Sequence, residues 1–218
     1  MNFDTETFTR DIAKHEIEVI RDDGVNRHLR FKRPGTMSMH FDILTWPGYL
    51  CYTGDMGSFV FRRTHDMLEF FRPSSGHKPY RIDFRYWAEK VEAADKGDGL
   101  SAFSAEKFKA EVKDYFDQAT EDAEDWPAER KAAVWKEIES DVLGRVDYDG
   151  AGVAWVALRE FEFDGFEFRD WERDCKEYSH RFLWCCHALE WAVNTYDEFY
   201  DEKAREQEAS NSADTPRG

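Results

Sequence analysis

The alternating residues and short turns between positions 37 and 63 constrain the fold more than any other part of the sequence. Hydrophobic and polar side chains alternate through residues 37–46, a period of two that is typical of a half-buried β-strand. Pro47 and Gly48 end this run, and a second turn, Gly54-Asp55-Met56-Gly57, follows the next run of β-formers. Connections this short join antiparallel neighbours. They predict a β-meander of three strands, at residues 37–46, 49–53 and 58–63.

The flanking segments extend this sheet and cover it. Residues 26–33 alternate in the same way, with Leu29 and Phe31 on one face, so they predict a fourth strand at the edge of the sheet. Residues 64–71 predict a short amphipathic helix over the sheet, and helical spacing dominates after residue 80. The predicted fold class is therefore α+β. An N-terminal three- or four-stranded antiparallel meander is packed against a mostly helical, acidic C-terminal part.

The domain organisation follows from the order of these elements. The chain is long enough to bury a substantial core, and its last residues are small and polar. We predict a single α+β domain over residues 1–204, which is sheet-rich at 25–72 and helix-rich at 80–204, followed by a disordered tail at 205–218.

Several helices are bounded by capping residues and apolar spacing. Ser104 is the predicted N-cap of one helix, and Asp125-Trp126-Pro127 begins another that ends at Gly144. Residues 160–170 are compatible with a continued helix or with a hairpin about Asp164-Gly165, and we favour a helix end followed by an ordered loop. Further helices are predicted at residues 3–20, within 80–94, and at 171–203, the last being broadly apolar and therefore buried.

The charge is distributed unevenly along the chain. The net charge is −16, but residues 1–100 hold 16 acidic and 15 basic residues, whereas residues 101–218 hold 30 acidic and 15 basic residues. A strongly negative half repels nucleic acid and anionic membranes and attracts basic proteins. We therefore expect no direct nucleic-acid partner and no membrane partner.

The cysteines indicate a reducing compartment. Cys185 and Cys186 are adjacent in a helical pattern, where they cannot bridge each other comfortably, and no CxxC pair occurs. No stretch resembles a signal peptide or a membrane span. The sequence predicts a cytoplasmic protein with reduced, buried and inert thiols.

The sequence contains no recognisable catalytic or metal-binding motif. Histidines and carboxylates near the meander include His40, Asp55 and His65, but no HxH, HExxH or P-loop spacing accompanies them. His180 and His187 are two helical turns apart, about 10 Å, which is too far for one zinc ion without other ligands. Structural roles are favoured for all of these residues, so we predict no catalytic residue, no metal and no cofactor.

Acidic clusters interleaved with aromatic residues form the strongest functional signal. Each cluster alone is typical of a solvated helix face, but three of them lie in the same half, at residues 117–129, 160–174 and 197–208. A negative surface with aromatic anchors suits a groove that normally holds a phosphate backbone. The predicted partner-binding residues are Asp117, Glu121, Asp122, Glu124, Asp125, Glu129, Glu160, Glu162, Asp164, Glu167, Asp170, Trp126 and Phe166.

Two stretches resemble a family of small, largely uncharacterised proteins of tailed phages and prophages. The resemblance implies a phage origin, and hence the cytoplasm of a bacterial host. It implies no established activity, so no catalytic residue is carried over. The stretches are Trp46-Pro47-Gly48, Gly54-Asp55-Met56-Gly57, Phe59-Val60-Phe61 and Asp66-Met67 to Phe70-Phe71, and, near the C-terminus, Phe182-Leu183-Trp184-Cys185-Cys186 with Ala188 and Trp191.

Three functional hypotheses follow from these observations. The first is a phage-encoded interaction protein whose DNA-mimicking surface inhibits a basic, nucleic-acid-binding host defence complex, in the manner of an anti-CRISPR protein. Its partner is then a basic host protein or nucleoprotein complex, and homodimer formation is left open. The alternatives are a small enzyme that uses His40, Asp55 or His65 near the meander turns, and a structural or assembly protein of the phage particle.

Overall fold

The computed structural model describes residues 3–72, 82–97, 99–121, 125–144 and 146–213. The fold class is α+β, as predicted, with a sheet near the N-terminus followed by a largely helical part. The chain divides into two compact units instead of the single domain predicted for residues 1–204. Unit 1 combines Met1–Leu100 with Tyr178–Gly218, and unit 2 is Ser101–Glu177. Unit 2 is therefore an insertion within the sequence of unit 1.

Unit 1 is built on a six-stranded antiparallel meander in which every strand pairs with its neighbours in sequence order. The predicted meander is confirmed, but it contains six strands where three or four were expected. The strands are β1 Glu16–Asp23, β2 Asn26–Lys32, β3 Phe41–Trp46, β4 Tyr49–Gly54, β5 Gly57–Arg62 and β6 Val91–Ala94.

Two-residue turns set the register of the central strands. Trp46 pairs with Tyr49 across Pro47-Gly48, and Gly48 has a φ of 84°, which glycine adopts without steric cost. With the register set in this way, alternate residues of β3, β4 and β5 point to one face of the sheet. The residues on this inner face are almost completely buried: Phe41, Ile43, Leu50, Tyr52, Phe59 and Phe61.

The described residues of unit 1 form four helices, and the long C-terminal one packs on the inner face of the sheet. Trp184 lies edge-on to Phe41, with ring centroids 5.7 Å apart, and Phe182 lies edge-on to Phe59 at 5.6 Å. The broadly apolar C-terminal helix predicted from the sequence is therefore buried, as expected. The helices are α1 Thr5–Ile12, α2 Met67–Phe71, α3 Phe84–Ala88 and α7 His180–Ala213.

Several predicted boundaries in unit 1 are wrong. The helix predicted at residues 3–20 begins after the N-cap Asp4 but ends at Ile12, and the chain continues as β1. Strand β6 occupies part of the helix predicted within residues 80–94. The last helix begins at His180 instead of residue 171, and it continues to Ala213, so residues 205–213 of the predicted disordered tail are helical.

The buried cysteines occupy the places expected of inert thiols. Cys185 and Cys186 lie on α7 in the core of unit 1, and Cys175 is buried in unit 2. Burial raises the pKa of each of these three thiols, to about 11 for Cys175. Cys51 is only partly buried. None of the four forms a disulfide.

Unit 2 is mostly helical and has a separate core. Phe108, Val112 and Phe116 of its first helix belong to one buried cluster with Val134 and Ile138 of the next. The elements are β7 Ser101–Phe103, α4 Ala105–Thr120, α5 Ala128–Ile138, a π-helical segment at Glu139–Leu143, α6 Val146–Glu160, β8 Glu162–Phe163, β9 Phe166–Glu167 and β10 Lys176–Tyr178. The last residue of β10, Tyr178, is the residue at which unit 1 resumes.

The segment 160–170 contains a β-hairpin, which was the less favoured of the two interpretations. Strands β8 and β9 pair Phe163 with Phe166 across Asp164-Gly165. Both turn residues have positive φ, 48° and 74°, the conformation of a type I′ turn. The Asp-Gly pair was the signal for this hairpin, and the two-residue strands were too short to show a clear period of two.

Candidate protein-binding surface on unit 2

Arg130 brings two of the predicted acidic clusters together. Its Nε donates a 2.8 Å hydrogen bond to the carboxylate of Asp164 in the hairpin turn, and an Nη group also donates to the Asp164 carbonyl. The other Nη group donates to the carbonyl of Asp125 at 2.9 Å, and the guanidinium lies 4.2 Å from the centroid of the Trp126 ring. The segment before α5 and the β8–β9 hairpin are therefore joined, although they are more than thirty residues apart in sequence.

The aromatic residues beneath this junction differ in their exposure. Trp126 is partly buried and packs edge-on against Phe116 and Phe166. Phe166 is only 5% exposed and belongs to the core of unit 2, so it has no free ring to offer a partner. Its neighbour across the hairpin, Phe163, is 39% exposed. The anchor assigned to Phe166 from the sequence is therefore a core residue, and Phe163 is the exposed aromatic side chain of the hairpin.

The predicted acidic residues are at the surface wherever the structure describes them. Asp122 and Glu124 lie outside the described residues. The exposed ones are Asp117, Glu121, Asp125, Glu129, Glu160, Glu162, Asp164, Glu167 and Asp170.

Ion pairs neutralise only part of this acidic surface. Five of the nine exposed acidic residues form ion pairs. Asp117 pairs with Lys113, Glu160 with Arg159 and Glu167 with Arg169, and Arg130 forms ion pairs with both Asp125 and Asp164. Pairs as exposed as these are weak and do not abolish the local negative field. Within the described part of the chain, four of the nine make no ion pair: Glu121, Glu129, Glu162 and Asp170.

The basic residues of unit 2 are largely used inside the unit. Arg173 bonds to the carboxylates of Glu111 and Asp114 and lies over the ring of Tyr115. These hydrogen bonds raise the pKa of Arg173. Unit 2 holds 22 acidic and 11 basic residues, a net charge of −11, whereas unit 1 holds 24 and 19, a net charge of −5. Most of the excess negative charge therefore belongs to the smaller unit.

The histidine and carboxylate pair near the meander turns stabilises the backbone. His40 Nδ1 lies 2.7 Å from the carbonyl of Met37 and 3.2 Å from Asp55. The other carboxylate oxygen of Asp55 accepts a 2.7 Å hydrogen bond from the amide of Met39, which has a φ of 60°. These bonds hold a turn directly before β3, which explains why that strand begins at Phe41 and not at Met37. The His65 side chain is exposed, and the backbone carbonyl of His65 accepts a hydrogen bond from the Gly48 amide.

Two further carboxylates of unit 1 are committed to neighbouring arginines. Burial opposes the ionisation of Asp42, but hydrogen bonds from Arg30 and His28 outweigh it and lower the pKa of Asp42. Asp66 is likewise partly buried, and its pKa is lowered by the paired bonds from Arg27, at 2.9 and 2.8 Å, and by the amide of Leu68. Their geometry is that of structural ion pairs. In the described residues, no three His, Cys, Asp or Glu side chains are grouped to hold a metal ion.

Comparisons of the chain with known protein families, with curated proteins and with solved structures found no match. Across the described ranges, no helix combines the length and the apolar character needed to cross a membrane. Sequence reasoning located the acidic residues, but it missed Arg130 as the residue that joins them. The available signal was an arginine one turn after a Trp-Pro pair, where it can reach back over the indole ring.

Proposed function

We propose that the protein is an acidic interaction protein that binds a basic partner through unit 2. The observation that carries this proposal is the excess of exposed carboxylates on unit 2, where acidic residues outnumber basic ones by two to one. Four of these carboxylates, at Glu121, Glu129, Glu162 and Asp170, lack a neutralising side chain in the described structure. Such a surface complements a lysine- and arginine-rich groove and speeds the encounter with it.

The partner that fits this chemistry best is a protein or nucleoprotein complex that normally holds nucleic acid. Its basic groove recognises closely spaced phosphates, and exposed carboxylates present the same sign of charge to it. The resemblance to tailed-phage proteins supports a host defence complex as the target, so that occupation of the groove inhibits it. The exposed ring of Phe163 in the β8–β9 hairpin is the aromatic contact that we assign to this interface.

The proposal is tested by reversing charge in unit 2. A variant carrying lysine at Glu121, Glu129, Glu162 and Asp170 is compared with a control carrying lysine at four exposed acidic residues of α7. We expect the wild type and the control to capture a basic protein from host lysate, and the unit 2 variant to lose that capture. The control residues are Glu198, Asp201, Glu202 and Glu206.

Two conditions sharpen this experiment. Capture is expected to weaken strongly between about 50 and 200 mM salt, because exposed charges are screened over that range. Duplex DNA is expected to compete for the captured partner. Equal capture by the two variants, or capture that is indifferent to salt, would show that the acidic surface of unit 2 is not the binding surface.

A further inference from the structure

A pocket in unit 1 lies between α1 and α7 and has the size of a small-ligand site. Its volume is about 380 Å³, within the range of pockets that hold small molecules. Phe8, Ile12 and Trp191 form its apolar walls, and His187 and Glu190 are among its polar groups. All of the residues that line it belong to unit 1.

The apolar walls are fixed by the core. Phe8 and Ile12 are almost fully buried, and the Phe8 ring lies edge-on to Trp184 with centroids 5.2 Å apart. Trp191 lies edge-on to Phe31 at 5.6 Å. Aromatic packing therefore holds Phe8 and Trp191 in place, and Ile12 is held by its burial in the same core, so the pocket is already formed without a ligand.

Glu190 is a half-buried carboxylate whose charge is poorly compensated. Within the described part of the chain it makes no hydrogen bond, and its one ion-pair contact is with His187, whose Nδ1 lies 4.0 Å away. Burial raises the pKa of Glu190 and lowers the pKa of His187. The His187 ring is stacked on Phe3, with centroids 4.7 Å apart, so the histidine is held in an aromatic setting. The Glu190 carboxylate therefore lacks a positively charged hydrogen-bond donor, which would stabilise its charge.

His15 also lines the pocket and has an unused acceptor. Its Nε2 lies 3.0 Å from the carbonyl oxygen of Met39, which only accepts hydrogen bonds, so Nε2 carries the proton. In the neutral ring Nδ1 is then an acceptor, and this atom is buried with no partner in the described structure. Because this atom is closed to solvent, Glu190 is the group through which the pocket favours a ligand that donates hydrogen bonds.

We propose that this pocket binds a small organic cation, an ammonium group on an apolar body about the size of one ring. The ammonium group donates to the carboxylate of Glu190, and the apolar body lies among Phe8, Ile12 and Trp191. A charge-assisted hydrogen bond is stronger than a neutral one, and an indole face adds a cation–π attraction. An anion of the same size is repelled by Glu190 and by the net charge of the protein. This inference does not depend on the function proposed for unit 2.

Three matched probes test the charge requirement: 2-phenylethylammonium, the neutral 2-phenylethanol and the anion phenylacetate. Binding to the full-length protein is followed by NMR chemical shifts of the backbone amides of Phe8 and Trp191. We expect the ammonium probe to bind with a Kd of about 1 mM, which is reasonable for so small a ligand. The alcohol is expected to bind at least about fivefold more weakly, and phenylacetate not at all.

Variants locate the ammonium group. Glu190→Gln keeps the shape of the side chain and is expected to weaken ammonium binding about tenfold, with little change for the alcohol. Glu198→Gln, on an exposed face of the same helix, is the matched control and is expected to change neither. Ala13→Trp places a large side chain on the exposed rim of the pocket and is expected to block every probe.

Several results would overturn the proposal. For the wild type, these results are equal affinity for the ammonium probe and the alcohol, tighter binding of phenylacetate, or no binding of any probe at a concentration of about ten times the expected Kd. For the variants, they are unchanged ammonium affinity in Glu190→Gln or undiminished binding in Ala13→Trp. Because Ala13→Trp leaves Glu190 in place, it keeps the test decisive if Glu190→Gln does not fold.

Discussion

Replacing Arg130 by methionine separates the effect of its contacts from the effect of its charge. The change removes the guanidinium that bonds to Asp164 and Asp125 and that lies over Trp126, while much of the aliphatic stem is retained. The matched control is Lys131→Met, which removes the same charge from the next position of α5. Within the described part of the chain Lys131 makes no ion pair.

The expected cost follows from the contacts that are lost. The Arg130 side chain is 27% exposed and its partner Asp164 is 54% exposed, so water competes for their hydrogen-bonding groups. The free energy of each lost contact is therefore taken from the low end of its range. An exposed ion pair, an exposed cation–π contact and two hydrogen bonds to carbonyl oxygens then amount to about 2 kcal/mol. Lys131→Met should cost less than about 0.5 kcal/mol, as is usual for surface substitutions.

Native-state hydrogen exchange measures the difference in stability between the two variants within unit 2. The amides of Val134 and Ile138 report on unit 2, and the amides of Ile43 and Tyr52 in the sheet of unit 1 serve as an internal reference. A loss of about 2 kcal/mol corresponds to about thirtyfold faster exchange of the unit 2 core amides in Arg130→Met. If both variants exchanged at rates within about twofold of each other, Arg130 would not join the two acidic clusters, and our account of that surface would be refuted.

Two other predictions concern unit 1. A Cβ at Gly54 would lie 2.2 Å from the carbonyl oxygen of His40, and this atom has little room to move because it precedes β3 directly and accepts a hydrogen bond from the Asp55 amide at 3.1 Å. Gly54→Ala should therefore lower the free energy of unfolding by about 3 kcal/mol, measured by urea titration. Gly152→Ala, where no atom lies within 4 Å, should be neutral or stabilising, and similar values for the two variants would contradict the reasoning. The second prediction is acid sensitivity: the lowered pKa values of Asp42 and Asp66 mean that their stabilisation is present above the unfolded pKa of about 4 and is lost as the pH falls below it. Asp42→Asn should unfold more easily at pH 6 and show a shallower loss of stability between pH 5 and pH 3, and an unchanged slope would count against this ion pair.

The central strands were predictable because two independent local signals agreed there. The period of two in β3 and the short turns on either side of β4 both require antiparallel neighbours, and no distant contact was needed to decide between alternatives. The Ser104 cap and the apolar stripe of α4 were predictable for the same reason, since the cap and the spacing lie within one helix.

The edge strands were missed because their local signal is ambiguous. Ile12 of α1 with Ile17 and Ile20 of β1 suggests one continuous helical stripe, while the alternation Glu16-Ile17-Glu18-Val19 suggests a strand. Pairing with β2 decides for the strand. Strand β6 is only four residues long and mostly exposed, so its pairing with β5 is the main reason that it is extended.

The candidate surface was only partly predictable, because composition gives the residues and not their neighbours. Counting charges located the acidic residues correctly in the chain, but counting says nothing about which basic side chain reaches which carboxylate. Phe166 was misinterpreted because it stands among acidic residues in sequence, whereas its ring packs in the core against Phe116 and Trp126, and Phe163 is the exposed ring. The pocket beside Glu190 depends on the packing of two elements that are far apart in sequence.

The insertion of unit 2 has a consequence for the order of events during synthesis. The six strands are complete once Ala94 has emerged, but the α7 side chains that cover the sheet, from Phe182 to Tyr196, follow about 100 residues later. At ordinary translation rates this leaves the aromatic inner face of a nascent sheet without the cover of α7 for about 5–20 s. During that interval the ribosome-bound chain exposes a hydrophobic surface that chaperones and other nascent chains can bind. The inserted segment is by then long enough to begin forming its own core.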